Sequence, residues 1–69
     1  MEKFSEQYLL TTSFRTAIDR EELLIRKCKG YIEDIKSEEM KDFIHEMENN
    51  SEEHIKMMKD KMAKLNVVY

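Results

Sequence analysis

The segment Ile35-Lys36-Ser37-Glu38-Glu39-Met40 decides the fold, because it is the strongest break in a chain that is otherwise helical in composition. Its serine is a favourable helix N-cap, since the hydroxyl accepts a hydrogen bond from a backbone N–H of the first turn. Two glutamates follow the serine, where carboxylates interact favourably with the helix dipole. We therefore predict one helix over about residues 5–36 and a second over about residues 38–65.

The composition indicates long helices that are too few to form a stable core alone. The chain has 69 residues with no proline, one glycine and no tryptophan, and 39% of the residues are charged. Such a chain rarely gains more than roughly 3–5 kcal/mol from its own core, and disulfides, a metal ion or oligomerisation usually supply the rest. Cys28 is the one cysteine, so no disulfide forms within the chain. We predict a single domain over residues 1–69 that forms a homo-oligomer, a dimer or larger.

Charge and hydropathy exclude several classes of function. The formal net charge is −3 with both signs interspersed, and no basic patch alternates with aromatic residues, so we expect no nucleic-acid partner. No apolar run approaches the roughly 20 residues of a membrane span, and the N-terminal residues lack the apolar stretch of a secretory signal. The lone cysteine fits a reducing compartment. These features together predict a cytoplasmic protein with no membrane partner.

Apolar residues recur at steps of three and four residues in both halves of the chain, which is typical of helices that bury one face. In helix 1 the predicted seam contains Phe14, Ala17, Ile18, Leu24, Ile25, Cys28, Tyr31, Ile32 and Ile35. In helix 2 it contains Met40, Phe43, Ile44, Met47, Ile55, Met58, Met62 and Leu65. The predicted fold is therefore all-α, an antiparallel two-helix hairpin that self-associates into a four-helix bundle.

Two features leave local questions within helix 1. The hydroxyl residues Thr11, Thr12 and Ser13 compete for backbone partners, so the sequence leaves open whether the helix is continuous there. Gly30 costs about 1 kcal/mol relative to alanine inside a helix. We interpret this glycine as a point of close approach between the two helices.

A polar cluster interrupts the predicted seams midway along the hairpin. Residues that face each other across a tight turn at Ser37 have numbers that sum to roughly 75, because the two helices run antiparallel from that point. This rule places Glu21 opposite His54, with Ser51 and Asn50 nearby. A buried carboxylate is costly unless it finds a proton, a donor or a metal ion. The sequence thus predicts a Glu21–His54 contact inside an apolar interface.

The stretch from Met40 through Phe43 to Glu53-His54 resembles the second helix of a rubrerythrin or ferritin-like hairpin, in which glutamate-rich residues end in Glu-x-x-His. The layout is similar to that of the encapsulated ferritins, whose two-helix protomers pair into a full bundle. The resemblance covers about Phe14 to Leu65. It implies a ferritin-like bundle in which Glu21 and His54 line the centre and bind a metal ion, either iron or zinc.

The chain departs from this family at one ligand position. The family has a glutamate three residues before the histidine, where this chain has Ser51. A dimer then offers two copies of Glu21 and two of His54, which suits one ion in a tetrahedral site better than a di-iron centre. Glu22, Glu53, Ser51 and Asn50 are the helper residues expected near the site. We therefore expect no ferroxidase activity and no catalytic residues.

Two other interpretations of the sequence stay open. In the first, the chain is a non-enzymatic structural or interaction module, and the Glu21–His54 layer only fixes the register of the oligomer. In the second, the His45-Glu46 pair is similar to the phospho-accepting pair of a histidine-kinase dimerisation hairpin. His45 lies off the seam, however, so we interpret it as a solvated surface histidine. Cys28 and the methionines are interpreted as core side chains rather than as a nucleophile or copper ligands.

Overall fold

A computed structural model describes residues 5–67, which form two antiparallel helices and contain no strand. Helix α1 spans Glu6–Ile32 and helix α2 spans Glu38–Lys64. Each has 27 residues and is therefore about 40 Å long at 1.5 Å per residue. The predicted all-α hairpin is confirmed. The predicted single domain also includes residues 1–4, 68 and 69, which lie outside the described range.

Serine residues cap the N-terminus of both helices. The Ser5 hydroxyl accepts a hydrogen bond from the backbone N–H of Tyr8 at 3.1 Å, and the Ser37 hydroxyl accepts one from Met40 at 3.3 Å. Glutamates occupy the first turn of each helix, where the dipole stabilises them. The predicted start of α2 at Glu38 is therefore confirmed with its cap.

Helix α1 ends four residues earlier than predicted. It stops at Ile32, and the backbone N–H of Asp34 donates to the carbonyl of Tyr31 at 3.0 Å in a turn that closes the helix. Glu33 and Asp34 would place two carboxylates at the negative end of the helix dipole, which disfavours extending the helix through them. The connection is thus the five residues 33–37 rather than a tight turn at Ser37.

Helix α1 is continuous through Thr11, Thr12 and Ser13. The Thr11 hydroxyl donates to the carbonyl of Gln7, and the Ser13 hydroxyl donates to that of Leu9, both at 2.8 Å. These bonds run back by one turn along the same helix. The hydroxyl groups therefore find partners on the helical backbone without interrupting it.

Helix α2 ends in a Schellman motif that folds the chain back onto the core. Asn66 has a positive φ of 57°, a left-handed conformation that asparagine tolerates. The N–H of Asn66 donates to the carbonyl of Ala63, and the N–H of Val67 donates to that of Met62 at 2.8 Å. Val67, only 7% exposed, then packs with Met62 and with Ile18 of α1. This cluster closes the open end of the hairpin.

The hairpin is a single layer of helices. Its Cα extents are 52 × 27 × 13 Å, and the short dimension is close to one helix diameter. The chain exposes 5935 Å², whereas a folded monomer of 8.4 kDa is expected to expose about 4,600 Å². Stable domains usually pack two layers around their core. One face of this layer therefore lacks the covering that a closed domain provides.

The seam predicted for α1 is confirmed at Ile18 and Cys28 but is wrong at Tyr31, which is 55% exposed. The seam predicted for α2 is wrong at both ends of the helix, and at the C-terminal end Leu65 is 47% exposed. In α1, Ile18 and Cys28 are buried, at 0% and 1% exposed. In α2, Met40 is 57% exposed and Phe43 is 61% exposed, although both were predicted to lie in the seam. The α2 residues that face α1 form what we call the inner seam: Ile44, Ser51, Ile55, Met58 and Met62.

The interpretation of Gly30 as a close helix–helix approach is also wrong. The residue is exposed, and a Cβ placed on it would meet no atom within 4 Å. The glycine therefore serves no packing purpose in the described chain. Its cost to the helix is uncompensated by any contact.

Candidate functional site

The structure brings Glu21 and His54 together, as the numbering rule predicts. The Oε1 atom of Glu21 lies 3.3 Å from the Nδ1 atom of His54, which links α1 to α2 across 33 residues of sequence. The contact is a hydrogen bond when Nδ1 carries a proton and an ion pair when the ring is protonated on both nitrogens. The contact therefore joins the two helices directly through their side chains.

The pair lies at the edge of the helix interface rather than in its centre. The Glu21 side chain is 24% exposed and the His54 side chain is 58% exposed. Ser51 is the central buried polar residue, at 2%, whereas Asn50 is exposed. The predicted four-residue buried layer is therefore wrong for His54 and Asn50. Compared with the prediction, α2 is rotated about its own axis, so that these two residues lie on the outward side of the hairpin.

Two of the four helper residues, Glu22 and Glu53, do not contact the pair. Glu22 and Glu53 are both exposed, and neither contacts Glu21 or His54 in the contacts described. Glu22 follows Glu21 and Glu53 precedes His54, and adjacent residues on a helix point in different directions. They are therefore placed away from the site.

One oxygen of the site has no partner. The Oε2 atom of Glu21 is buried and accepts no hydrogen bond, while Oε1 contacts His54. A buried polar oxygen without a partner costs free energy comparable to a lost hydrogen bond. This carboxylate oxygen can therefore accept one further hydrogen bond or bind a cation.

An open cavity of about 400 Å³ lies against the pair. Its walls come from both helices: Ala17, Arg20, Glu21, His54, Met57 and Met58. Arg20 and Met57 were not predicted from the sequence as neighbours of this site. Met57 has a signal in its spacing, because it lies three residues after His54 on the same side of α2. Arg20 has no such signal, because it is adjacent to Glu21 in sequence.

A largely exposed line of residues, with Met47 half-buried, runs along α2 through His54, and we call it the outer stripe. Its apolar members Met40, Phe43 and Met57 are 57%, 61% and 67% exposed. The steps between its members alternate between three and four residues, as in a helix seam that faces a neighbour. The outer stripe consists of Met40, Phe43, Met47, Asn50, His54, Met57 and Lys61.

The side of α2 that points away from the outer stripe and the inner seam is polar. It carries exposed residues at helical spacing: Glu38, His45, Asn49, Glu52 and Lys56. His45, with a side chain 59% exposed, lies 3.8 Å from a Glu48 carboxylate oxygen one turn later. The interpretation of His45 as a surface histidine is confirmed. The outer stripe, unlike this polar side, exposes large apolar side chains.

A cavity of about 420 Å³ lies at the beginning of the outer stripe, near the turn of the hairpin. Met40, Phe43 and Ile44 give it an apolar floor. Carboxylates of Glu39, Asp42 and Glu46 stand around that floor. This groove therefore combines exposed apolar surface with negative charge.

The structure also bears on three other features considered from the sequence: a metal-binding group, the cysteine and a membrane span. Within residues 5–67, no three His, Cys, Asp or Glu side chains form a group that could hold a metal ion. Cys28 is a buried free thiol, as interpreted. Neither α1 nor α2 has a stretch sufficiently long and apolar to cross a membrane, in the part of the chain that is described.

Comparison of the chain with family models, with curated proteins and with solved structures finds no match in any of the three. The resemblance to ferritin-like hairpins therefore stays a prediction from the residues quoted above. The function has to be inferred from the geometry of the hairpin itself.

Proposed function

We propose that this chain is a self-associating helical hairpin, one half of a ferritin-like four-helix bundle, and that its role is structural or interactive rather than enzymatic. The observation that carries the proposal is the outer stripe of α2, whose residues Phe43 and Met57 are 61% and 67% exposed in a single-layer hairpin. A second hairpin that packs on this face supplies the missing layer. The partner is a homo-oligomer subunit, with no nucleic acid and no membrane involved.

Burial of the outer stripe favours pairing. Covering a phenylalanine, leucine or methionine side chain contributes roughly 1.5–3 kcal/mol. A symmetric dimer buries each exposed residue of the stripe twice, once from each copy. In the bundle, Glu21 and His54 lie inside the interface, where they set which residues face each other. The free Cys28 thiol fits a cytosolic protein.

Sedimentation equilibrium tests the proposal. The wild-type chain is expected to show a mass that is a multiple of 8.4 kDa. Phe43→Ser is expected to weaken association by roughly tenfold or more, because Phe43 is the aromatic residue of the outer stripe and aromatic side chains often carry much of the energy of an interface. Leu23→Ser is the matched control, since Leu23 is also exposed, at 43%, and lies on another side of α1. A wild-type mass of one chain at millimolar concentration contradicts the proposal.

A metal ion bound by Glu21 and His54 is the second candidate function. The observation that favours it is the buried Oε2 atom of Glu21, which lacks a partner beside an imidazole nitrogen. Carboxylate and imidazole together suit zinc or iron. One chain supplies only these two ligands, so a second copy must bring its own pair to the same level to complete a four-ligand site. The ion would then hold the bundle together without a catalytic step.

The two histidines of the chain give this candidate an internal control. Calorimetric titration of the wild type with Zn²⁺ is expected to show one ion per two chains, and elemental analysis of the purified protein checks the native metal. His54→Ala is expected to abolish binding, whereas His45→Ala retains it because His45 lies on the polar side of α2. Absence of binding by the wild type, or equal loss in both variants, excludes the Glu21–His54 metal site.

A further inference from the structure

We infer that the second copy packs with its α2 antiparallel to the α2 of the first, so that the two outer stripes cover each other about a two-fold axis near Asn50. The inference rests on the proposed self-association and specifies its interface. Three properties of α2 carry it: the symmetry of the outer stripe, the distribution of charge along the helix, and the polar residue at the centre of the stripe.

The outer stripe is complementary to itself when one copy is reversed. In an antiparallel pair centred near Asn50, facing residues have numbers that sum to roughly 100. Phe43 then faces Met57 of the second copy, and Met47 faces His54 of the second copy. Met40 faces the aliphatic part of Lys61. Each exposed apolar residue of the stripe thus meets apolar surface, and both ends of the interface are equivalent.

Charge along α2 favours the same arrangement. The groove at the start of the outer stripe has the carboxylates of Glu39, Asp42 and Glu46 around its apolar floor. The final turns of the helix carry Lys61 and Lys64, with Met57 and Leu65 exposed beside them. In an antiparallel dimer, this basic, apolar end of one copy packs in the acidic, apolar groove of the other. The two-fold symmetry produces this contact twice. A parallel copy would instead place acidic residues against acidic residues.

Asn50 is the polar residue at the centre of this stripe. It is exposed in the single hairpin and lies between Met47 and His54. A single polar residue in an otherwise apolar seam fixes register, because any shift leaves its amide against apolar side chains. At the two-fold axis the amides of the two copies face each other and form hydrogen bonds. The stripe therefore has one preferred alignment.

This arrangement has a consequence for the Glu21–His54 pair. His54 lies four residues from Asn50, so the two histidines of the dimer are separated by about 12 Å along the bundle at ~1.5 Å per residue. One metal ion cannot bind both histidines at that separation, because zinc–nitrogen bonds are about 2 Å long. The antiparallel interface therefore favours the structural role of the pair over the four-ligand metal site.

Single cysteines test the arrangement, because a disulfide requires Cα atoms within about 7 Å. In a Cys28→Ala background, Asn50→Cys is expected to form a disulfide-linked dimer on mild oxidation, since the two copies meet at the axis. Met57→Cys is the matched control: position 57 is also exposed, but its two copies lie about 20 Å apart along the bundle. Mass spectrometry without reductant measures both, alongside sedimentation of the reduced proteins.

The outcomes separate this inference from the proposed function. Rapid cross-linking of Asn50→Cys with little of Met57→Cys supports the antiparallel interface. Equal cross-linking of both variants, or of neither, in a protein that still sediments as a dimer overturns it and leaves self-association intact. A reduced protein that sediments as a single chain contradicts both.

Charge reversal provides a second, independent test. Lys61→Glu is expected to weaken the dimer by about tenfold, because it places a carboxylate beside Glu39 of the second copy at two symmetric positions. Adding Glu39→Lys is expected to restore most of the affinity by recreating opposite charges. Lys56→Glu changes the same charge on the polar side of α2 and is expected to leave the affinity unchanged. Equal effects of Lys61→Glu and Lys56→Glu, or no restoration by Glu39→Lys, overturn the proposed alignment.

Discussion

The inner seam and the outer stripe of α2 lie side by side on one helix and differ in what covers them. Both have helical spacing, and both contain methionines and larger apolar side chains. Met62 of the inner seam is 2% exposed because α1 packs on it, whereas Met57 of the outer stripe is 67% exposed. A helix with two adjacent apolar lines needs two neighbours. A two-helix chain supplies only one of them.

The inner seam and the outer stripe also contribute to the stability of the molecule in different ways. The inner seam and the cluster of Ile18, Met62 and Val67 form within one chain, so their contribution does not depend on concentration. Burial of the outer stripe requires a second chain and therefore depends on concentration through mass action. Substitutions in the two lines are expected to differ in this dependence, not only in size.

The largest effect is expected for Ile18→Ala, which disrupts the packing of α1 against the inner seam. Ile18 is 0% exposed in the centre of the cluster at the open end of the hairpin. Removing its side-chain atoms is expected to cost about 2–4 kcal/mol, which is most of the stability of so small a core. Denaturant unfolding followed by circular dichroism measures the loss. A loss below about 1 kcal/mol would show that this cluster does not hold the hairpin together.

A smaller change of opposite sign is expected for Gly30→Ala, which alters neither line. A Cβ at this position meets no atom within 4 Å, so only the backbone propensity changes. We expect stabilisation of about 0.8–1 kcal/mol, equal at all protein concentrations. Thermal melting at two concentrations checks both statements. Destabilisation would mean that a partner covers this side of α1 instead of the outer stripe.

The smallest effects are expected at the Glu21–His54 pair, which joins α1 to the outer stripe. Glu21→Leu is expected to leave stability unchanged or raise it slightly, because it removes the unpartnered Oε2 atom along with the contact. His54→Ala is expected to cost about 0.5–1 kcal/mol, because it leaves the half-buried carboxylate without its donor. Thermal melts of the two variants compare them. Equal large losses would contradict a pair held mainly by its mutual contact.

Several parts of this structure follow from sequence because they depend on local chemistry. The serine cap at Ser37 requires only its own first turn, and the buried positions Ile18 and Cys28 lie on the dominant apolar side of α1. The Glu21–His54 contact was predicted from numbering alone, because the level of facing residues shifts little when the connection lengthens. Only the coarse geometry of an antiparallel hairpin was needed for it.

The rotation of α2 could not be predicted in the same way. Periodicity shows that Phe43 and Ile44 are both part of an apolar side, but it does not show which of them faces α1. The answer depends on the five-residue connection and on the packing of both helices. Gly30 was misinterpreted for a related reason, since a glycine in a helix has the same sequence appearance whether a neighbour lies beside it or water does.

The dependence of the melting temperature on protein concentration tests the central claim most directly. If a second copy covers the outer stripe, raising the concentration by about a hundredfold adds up to roughly 2.7 kcal/mol of stabilisation. The melting temperature of the wild type is then expected to rise by several degrees, while that of Phe43→Ser rises much less. A wild-type melting temperature that stays constant over that range would show that the hairpin is complete without a partner.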